Sequence, residues 1–211
     1  IVMKGAGDKA FVSGSDISEF AERRATPEQR EIYDGLSARV STAYNDIEKP
    51  LIAMIQGFCL GGGLGTAMQA DLRIASDDSQ FGIPAAKLSV GYPFHNMKKI
   101  IDVVGPAKTK EIMFTGRRFS AAEALAMGLV NQVVPVDTLE ETVHEIAATI
   151  AENAPLTIRA SKTIVTEAMK NPEDRDLALC QEQVDACMNS DDFAEGRTAF
   201  MEKRKPKFVG K

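Results

Sequence analysis

Ile52-Ala-Met-Ile-Gln-Gly-Phe-Cys-Leu-Gly-Gly-Gly-Leu-Gly-Thr-Ala-Met68 is the stretch on which the fold turns. Leu51 to Ile55 is a short apolar run that reads as a buried strand, and Leu64 to Ala70 reads as the start of a helix. Between them stand Gly61, Gly62 and Gly63. Consecutive glycines are costly to order, so they belong where a side chain would obstruct something. One such thing is a ligand approaching backbone N–H groups at a helix start, where unpaired donors favour an anion. A developing oxyanion and a phosphate are both candidates. The plainer alternative is relief of crowding where helix meets sheet. No Lys-Ser/Thr follows, as a nucleotide P-loop requires, and the spacing is not a dinucleotide fingerprint.

Working outward, Ile1 to Met3 reads as a strand, Gly5 to Asp8 as a turn, and Asp16 as the N-cap of the short apolar segment after it. Arg23 to Gln29 is charged and reads as a loop, with Pro27 as a helix breaker. Glu31 to Ile47 has helical periodicity, with Ile32, Leu36, Val40 and Ala43 on one face. Asp71 to Ala75 and Gln80 to Pro84 read as strands, and Ala85 to Asn96 as a loop. Helices are expected over Lys98 to Val104 and Ala107 to Thr115, divided by Gly105-Pro106. Another is expected from Ser120, with Glu123 at the capping-box position and Gly128 at its end. Val130 to Val134 is a strand, and four helices fill the rest: Leu139 to Asn153, Leu156 to Met169, Arg175 to Met188 and Phe193 to Lys203. Strand–helix alternation followed by helices alone predicts an α/β core with a helical C-terminal region.

At 211 residues the chain suits one domain with a small appendage. A net charge of −5 disfavours nonspecific binding to nucleic acid or anionic membrane. No apolar run reaches the length needed to cross a bilayer. Cys59, Cys180 and Cys187 lack the number and spacing of a disulfide scaffold or a metal site, which favours a reducing, cytoplasmic setting. Ile1-Val-Met-Lys4 opens as a strand without an initiator Met, so further N-terminal residues are expected.

Several separated segments resemble the crotonase superfamily, the enoyl-CoA hydratase/isomerase family. They are Lys9-Ala-Phe-Val-Ser-Gly-Ser-Asp-Ile17, Gly57 to Gly63, Ala70-Asp-Leu-Arg-Ile-Ala75, Phe81-Gly82, Thr115 to Asn131 and Glu195 to Lys205. The resemblance covers essentially the whole chain. It implies a spiral of ββα turns over residues 1–135 and a helical C-terminal region, 136–211, that builds trimers, often paired into hexamers. It implies a coenzyme A thioester as substrate, with no prosthetic group, and a carbonyl polarised by two backbone amides, here those of Ser15 and Gly62. It places coenzyme A contacts on Lys9, Ala10 and Phe11 and a phosphate contact on the tail residue Lys203, while Val184 stands where hydratases carry an aromatic contact.

Departures from the family pattern bear on the reaction. Hydratases of the family use two glutamates, and the matching positions here are Gly65 and Ala85, neither of which can move a proton. General acid–base help contributes about 10²–10⁴-fold per group, so ordinary hydration would be crippled. An oxyanion hole without acids fits chemistry whose enolate arises without a strong base, such as decarboxylation or another C–C cleavage. Leu88-Ser-Val-Gly-Tyr-Pro93 resembles the methylmalonyl-CoA decarboxylase branch, in which a tyrosine lies beside the substrate carboxylate; this points to Tyr92, although that branch has histidine at the position of Ser15. His95 is a second candidate proton donor. Two alternatives stand: an enoyl-CoA hydratase or isomerase with a relocated base, and a noncatalytic CoA-binding scaffold. Asp16 and Asp71 are expected to serve the fold, and His144 to face solvent. Lys98, Lys99, Lys108 and Lys110 could form the RNA-binding surface known in some relatives, but read more simply as solvated faces.

Overall fold

The computed structural model describes residues 1–14, 16, 18 and 25–211. Its described strands form two four-stranded sheets. The first contains β1 (Val2–Lys4), β3 (Ile52–Ile55), β5 (Leu72–Ser76) and β8 (Gln132–Val134), all parallel in the order β1-β3-β5-β8. The second contains β2 (Ala10–Val12), β4 (Phe58–Leu60), β6 (Gln80–Gly82) and β7 (Phe119–Ser120) in that order, with only β7 antiparallel. Three times the chain gives one strand to each sheet and then runs through helix, so each sheet grows by one parallel strand per turn of a spiral; β7 and β8 then extend the two sheets in the reverse order, β7 antiparallel. Parallel strands covered on both faces need continuous apolar sequence. In β3 all four residues, Ile-Ala-Met-Ile, are buried.

Helix α1 (Pro27–Asn45) starts earlier than its apolar pattern does. Thr26 accepts from the Gln29 amide while the Gln29 side chain accepts from the Thr26 amide, closing a capping box. Pro27 therefore opens the helix rather than breaking it: at the first helical position its missing N–H costs nothing and its fixed φ suits the turn. The stripe Ile32, Leu36 and Val40 lies exposed, at 66%, 53% and 56%. Past Glu31 the half-buried positions are instead Tyr33, Ser37, Ser41 and Tyr44.

Helix α2 (Gly62–Ala67) follows β4 directly. The loop expected over 85–96 contains a 3-10 helix, Pro84–Leu88, and the start of α3 (Phe94–Thr115). Helix α3 breaks at Gly105 (φ 74°, ψ 169°), where two helices were expected. Helix α4 (Ala121–Ala126) carries the Ser120/Glu123 capping box, with Gly128 left-handed just beyond its end. Two polar residues of Ala70-Asp-Leu-Arg-Ile-Ala75 hold the sheet ends. Asp71 Oδ2 accepts from the Leu51 amide at 2.7 Å. The buried Arg73 guanidinium donates to the Leu129 and Ala70 carbonyls, each at 2.8 Å.

The chain divides into two compact units, Ile1–Ile47 with Leu51–Val143, and Glu48–Pro50 with His144–Lys211. Four further helices are α5 (Leu139–Ala151), α6 (Pro155–Ala168), α7 (Leu177–Met188) and α8 (Asp191–Glu202). In the second unit the chain end is strapped to α8. Buried Asp192 accepts from the Val209 and Gly210 amides at 2.7 and 2.9 Å, and Glu195 grips Arg204 through both oxygens. Among the described residues no helix is long and apolar enough to cross a membrane.

Candidate active site

Each glycine of the central triplet has its own reason. Gly61 caps α2 with φ 55° and ψ −121°, a backbone state open to glycine, and its amide donates to the Gly82 carbonyl at 2.8 Å. A Cβ on Gly63 would sit 1.9 Å from the Val12 carbonyl oxygen, so here the plainer explanation holds: the helix start is pressed against β2. Gly62 has neither constraint. It is exposed, and among the described residues its amide has no acceptor. Gly14, in the loop after β2, lies beside it: a Cβ there would be 3.8 Å from the Gly62 nitrogen. Ser15, the expected second donor, lies outside the described residues. A free amide at a helix start can stabilise an oxygen that gathers negative charge.

One turn along α2, a Cβ on Gly65 would lie 3.6 Å from the Tyr92 hydroxyl oxygen. The phenol thus stands over the helix at the position where a longer side chain would project. Burial, with Tyr33 adding to it, pushes the Tyr92 hydroxyl up to about 12. It keeps its proton at neutral pH and acts as a hydrogen-bond donor. Ala85 is only 6% exposed and belongs to the core, while His95 is exposed in the first turn of α3. Four residues beyond Gly65, the Gln69 side-chain oxygen accepts from Lys99 of α3, which also donates to Ser41 Oγ at 3.3 Å.

The other expected residues are more dispersed. Lys9 is exposed and its carbonyl accepts from the Phe58 amide at 3.2 Å; Ala10 is half-buried and Phe11 is in the core. Lys203 is exposed in a left-handed conformation (φ 56°) at the end of α8, in the second unit. Asp16 accepts from the Ser18 amide and hydroxyl, and His144 is exposed. Lys98 and Lys108 pair with Asp102 and Glu111. Neither Tyr33 nor Lys99 is expected here from the sequence, in which Lys99 reads as part of a solvated face. For Tyr33 a signal is present: Tyr33, Ser37 and Ser41 recur every four residues, a polar stripe on one helix face.

The enoyl-CoA hydratase/isomerase family model matches residues 1–211. The chain belongs to that family. The short-chain-enoyl-CoA hydratase of Clostridium acetobutylicum is 39% identical over 205 residues, covering 97% of this chain and 78% of the relative. The crotonyl-CoA hydratase of Syntrophomonas wolfei is 36% identical, covering 100% of this chain and 80% of the relative. A crystal structure of an enoyl-CoA hydratase/carnithine racemase from Magnetospirillum magneticum superposes with a TM-score of 0.92 at 37% identity, covering 100% of this chain and 78% of that one. The alternation of strands between two sheets is therefore the crotonase-like ββα spiral of the enoyl-CoA hydratase/isomerase family.

Proposed function

We propose that the chain acts on an acyl-CoA thioester through an enolate whose oxygen is held by the Gly62 and Ser15 amides, and that the reaction is a decarboxylation or another C–C cleavage. The observation that carries this reading is the Tyr92 hydroxyl standing over Gly65. A phenol raised to about 12 cannot serve as a base at neutral pH. It can orient a carboxylate and give up a proton to carbon. In that reaction the electrons of the C–CO₂ bond pass into the thioester enolate and carbon dioxide departs. The proton reaching the α-carbon comes from Tyr92 or His95 and is replaced from water. Coenzyme A contacts fall to Lys9, Ala10 and Phe11, Lys203 reaches the nucleotide's phosphates from a neighbouring copy, and the helices of the second unit carry subunit contacts in a homotrimer or hexamer.

A second reading is favoured by the relatives, whose names are those of hydratases: hydration or isomerisation with a relocated base. The two separate in one experiment, in which crotonyl-CoA and a malonyl-type thioester are offered in turn and hydration and carbon dioxide release are followed. Carbon dioxide release that drops about 10²-fold or more in Tyr92→Phe is the expected result. Turnover of crotonyl-CoA at ordinary hydratase rates overturns the decarboxylation. Tight binding of CoA with no turnover of any thioester favours a scaffold.

A further inference from the structure

Lys99 is the cation of α3 whose setting is hardest to explain as surface. Its neighbour Lys98 pairs with Asp102 and, further on, Lys108 pairs with Glu111. Lys99 is half-buried, and among the described residues it has no carboxylate partner. Its ammonium is held by two neutral oxygens, Gln69 Oε1 and Ser41 Oγ. An ammonium has three donors, so these two bonds orient it and leave one N–H without a partner among the described residues. The position is tied to the site already described. Gln69 lies just past the end of α2, four residues after Gly65, and Gly65 is the residue beneath the Tyr92 hydroxyl. Ser41 follows Tyr33 by eight residues on the same half-buried side of α1, with Ser37 between them. A row of polar groups thus leads from Tyr92 and Tyr33 at one end to Lys99 at the other.

On the reading of the site as an acyl-CoA centre, we infer that Lys99 is a specificity-determining residue that receives a carboxylate at the far end of the substrate's acyl group. A thioester oxygen at Gly62 lets the acyl chain run past Gly65 toward Gln69, the residue that holds Lys99. Burial lowers the proton affinity of Lys99, which is the signature of a cation short of a counter-charge. A carboxylate arriving there supplies it, whereas a methyl terminus leaves the cation desolvated and unpaired.

The test is calorimetric titration of the whole chain with glutaryl-CoA and with valeryl-CoA, which have five-carbon acyl groups that differ in the terminal carboxylate. Glutaryl-CoA is expected to bind about tenfold to a hundredfold more tightly, the range of a hydrogen bond to a charged group. Lys99→Met should erase the preference by weakening glutaryl-CoA without weakening valeryl-CoA, and Lys99→Arg should restore part of it. Equal binding of the two thioesters by the unaltered chain overturns the inference and leaves the acyl-CoA reading intact. Lys99→Met weakening both ligands alike also overturns it, since Lys99 is then only a brace between α1 and α3. Failure of CoA and both thioesters to bind overturns the acyl-CoA reading and this inference with it.

Discussion

At Gly63 and Gly65 the same substitution has opposite consequences. An alanine methyl at 63 would meet the Val12 carbonyl at 1.9 Å, and backbone of a paired strand cannot turn aside as a side chain can. Gly63→Ala should cost about 2 kcal/mol or more, read as a lowered urea midpoint. An alanine methyl at 65 meets the Tyr92 oxygen at 3.6 Å, an ordinary contact, and gains helix propensity. Gly65→Ala should therefore hold or raise the midpoint. Tyr92 itself makes stability depend on alkaline pH. Its hydroxyl moves from 10.0 to about 12 in the fold. Between those values the unfolded chain has lost a proton that the folded chain keeps, so stability falls as pH rises. Cys59, raised by burial from 9.0 to about 12, adds a loss of the same sign beginning near pH 9. The urea midpoint should hold steady up to pH 8.5 and then decline, and Tyr92→Phe should make the decline shallower above pH 10. An unchanged slope in that variant would remove Tyr92 from the account.

Helix ends and strand lengths decide what could be seen in advance among the elements. The capping box at Ser120 and Glu123 is local chemistry, visible as S-x-x-E before an apolar run, and it stands in the structure as the sequence foretells. Its removal by Ser120→Ala should cost about 1 kcal/mol in chemical denaturation, and a change under a few tenths would mean that Arg117, paired with Glu123 and Glu111, holds the turn unaided. The same chemistry at Thr26 and Gln29 is masked by Pro27, which reads as a breaker although its position one residue after a Thr makes it an opener. Strands β2, β4 and β7 are three, three and two residues long, too short for an alternating pattern to register. They are defined by pairing across the spiral, Ala10 with Phe58 and Phe81 with Phe119, which no local window contains.

For the molecule as a whole, the class of fold was legible because strand–helix alternation is a property of the entire chain. The site was legible only in part. The triple glycine marked the amide at Gly62, but the Tyr92 hydroxyl over Gly65 and the Lys99 bond to Gln69 join residues about thirty positions apart. Side-chain direction at that range is fixed by packing alone. Assembly is the property least written in local sequence, and the exposed apolar surface speaks to it. In the second unit Phe200, Met201 and Leu177 are 82%, 80% and 70% exposed. Burying one such side chain contributes about 1.5–3 kcal/mol, so leaving three open to water is a substantial cost for a lone chain. Light scattering after size exclusion should give three or six times the 22.8 kDa chain mass. Phe200→Glu with Met201→Glu should drive it toward the single-chain mass, since two carboxylates cannot enter an apolar contact unpaired. The far-UV circular dichroism of that variant should keep its helical signal, because neither side chain belongs to the core of its own chain. A single-chain mass for the unaltered protein, or an unchanged multiple in the variant, would show that these side chains do not form the contact between copies.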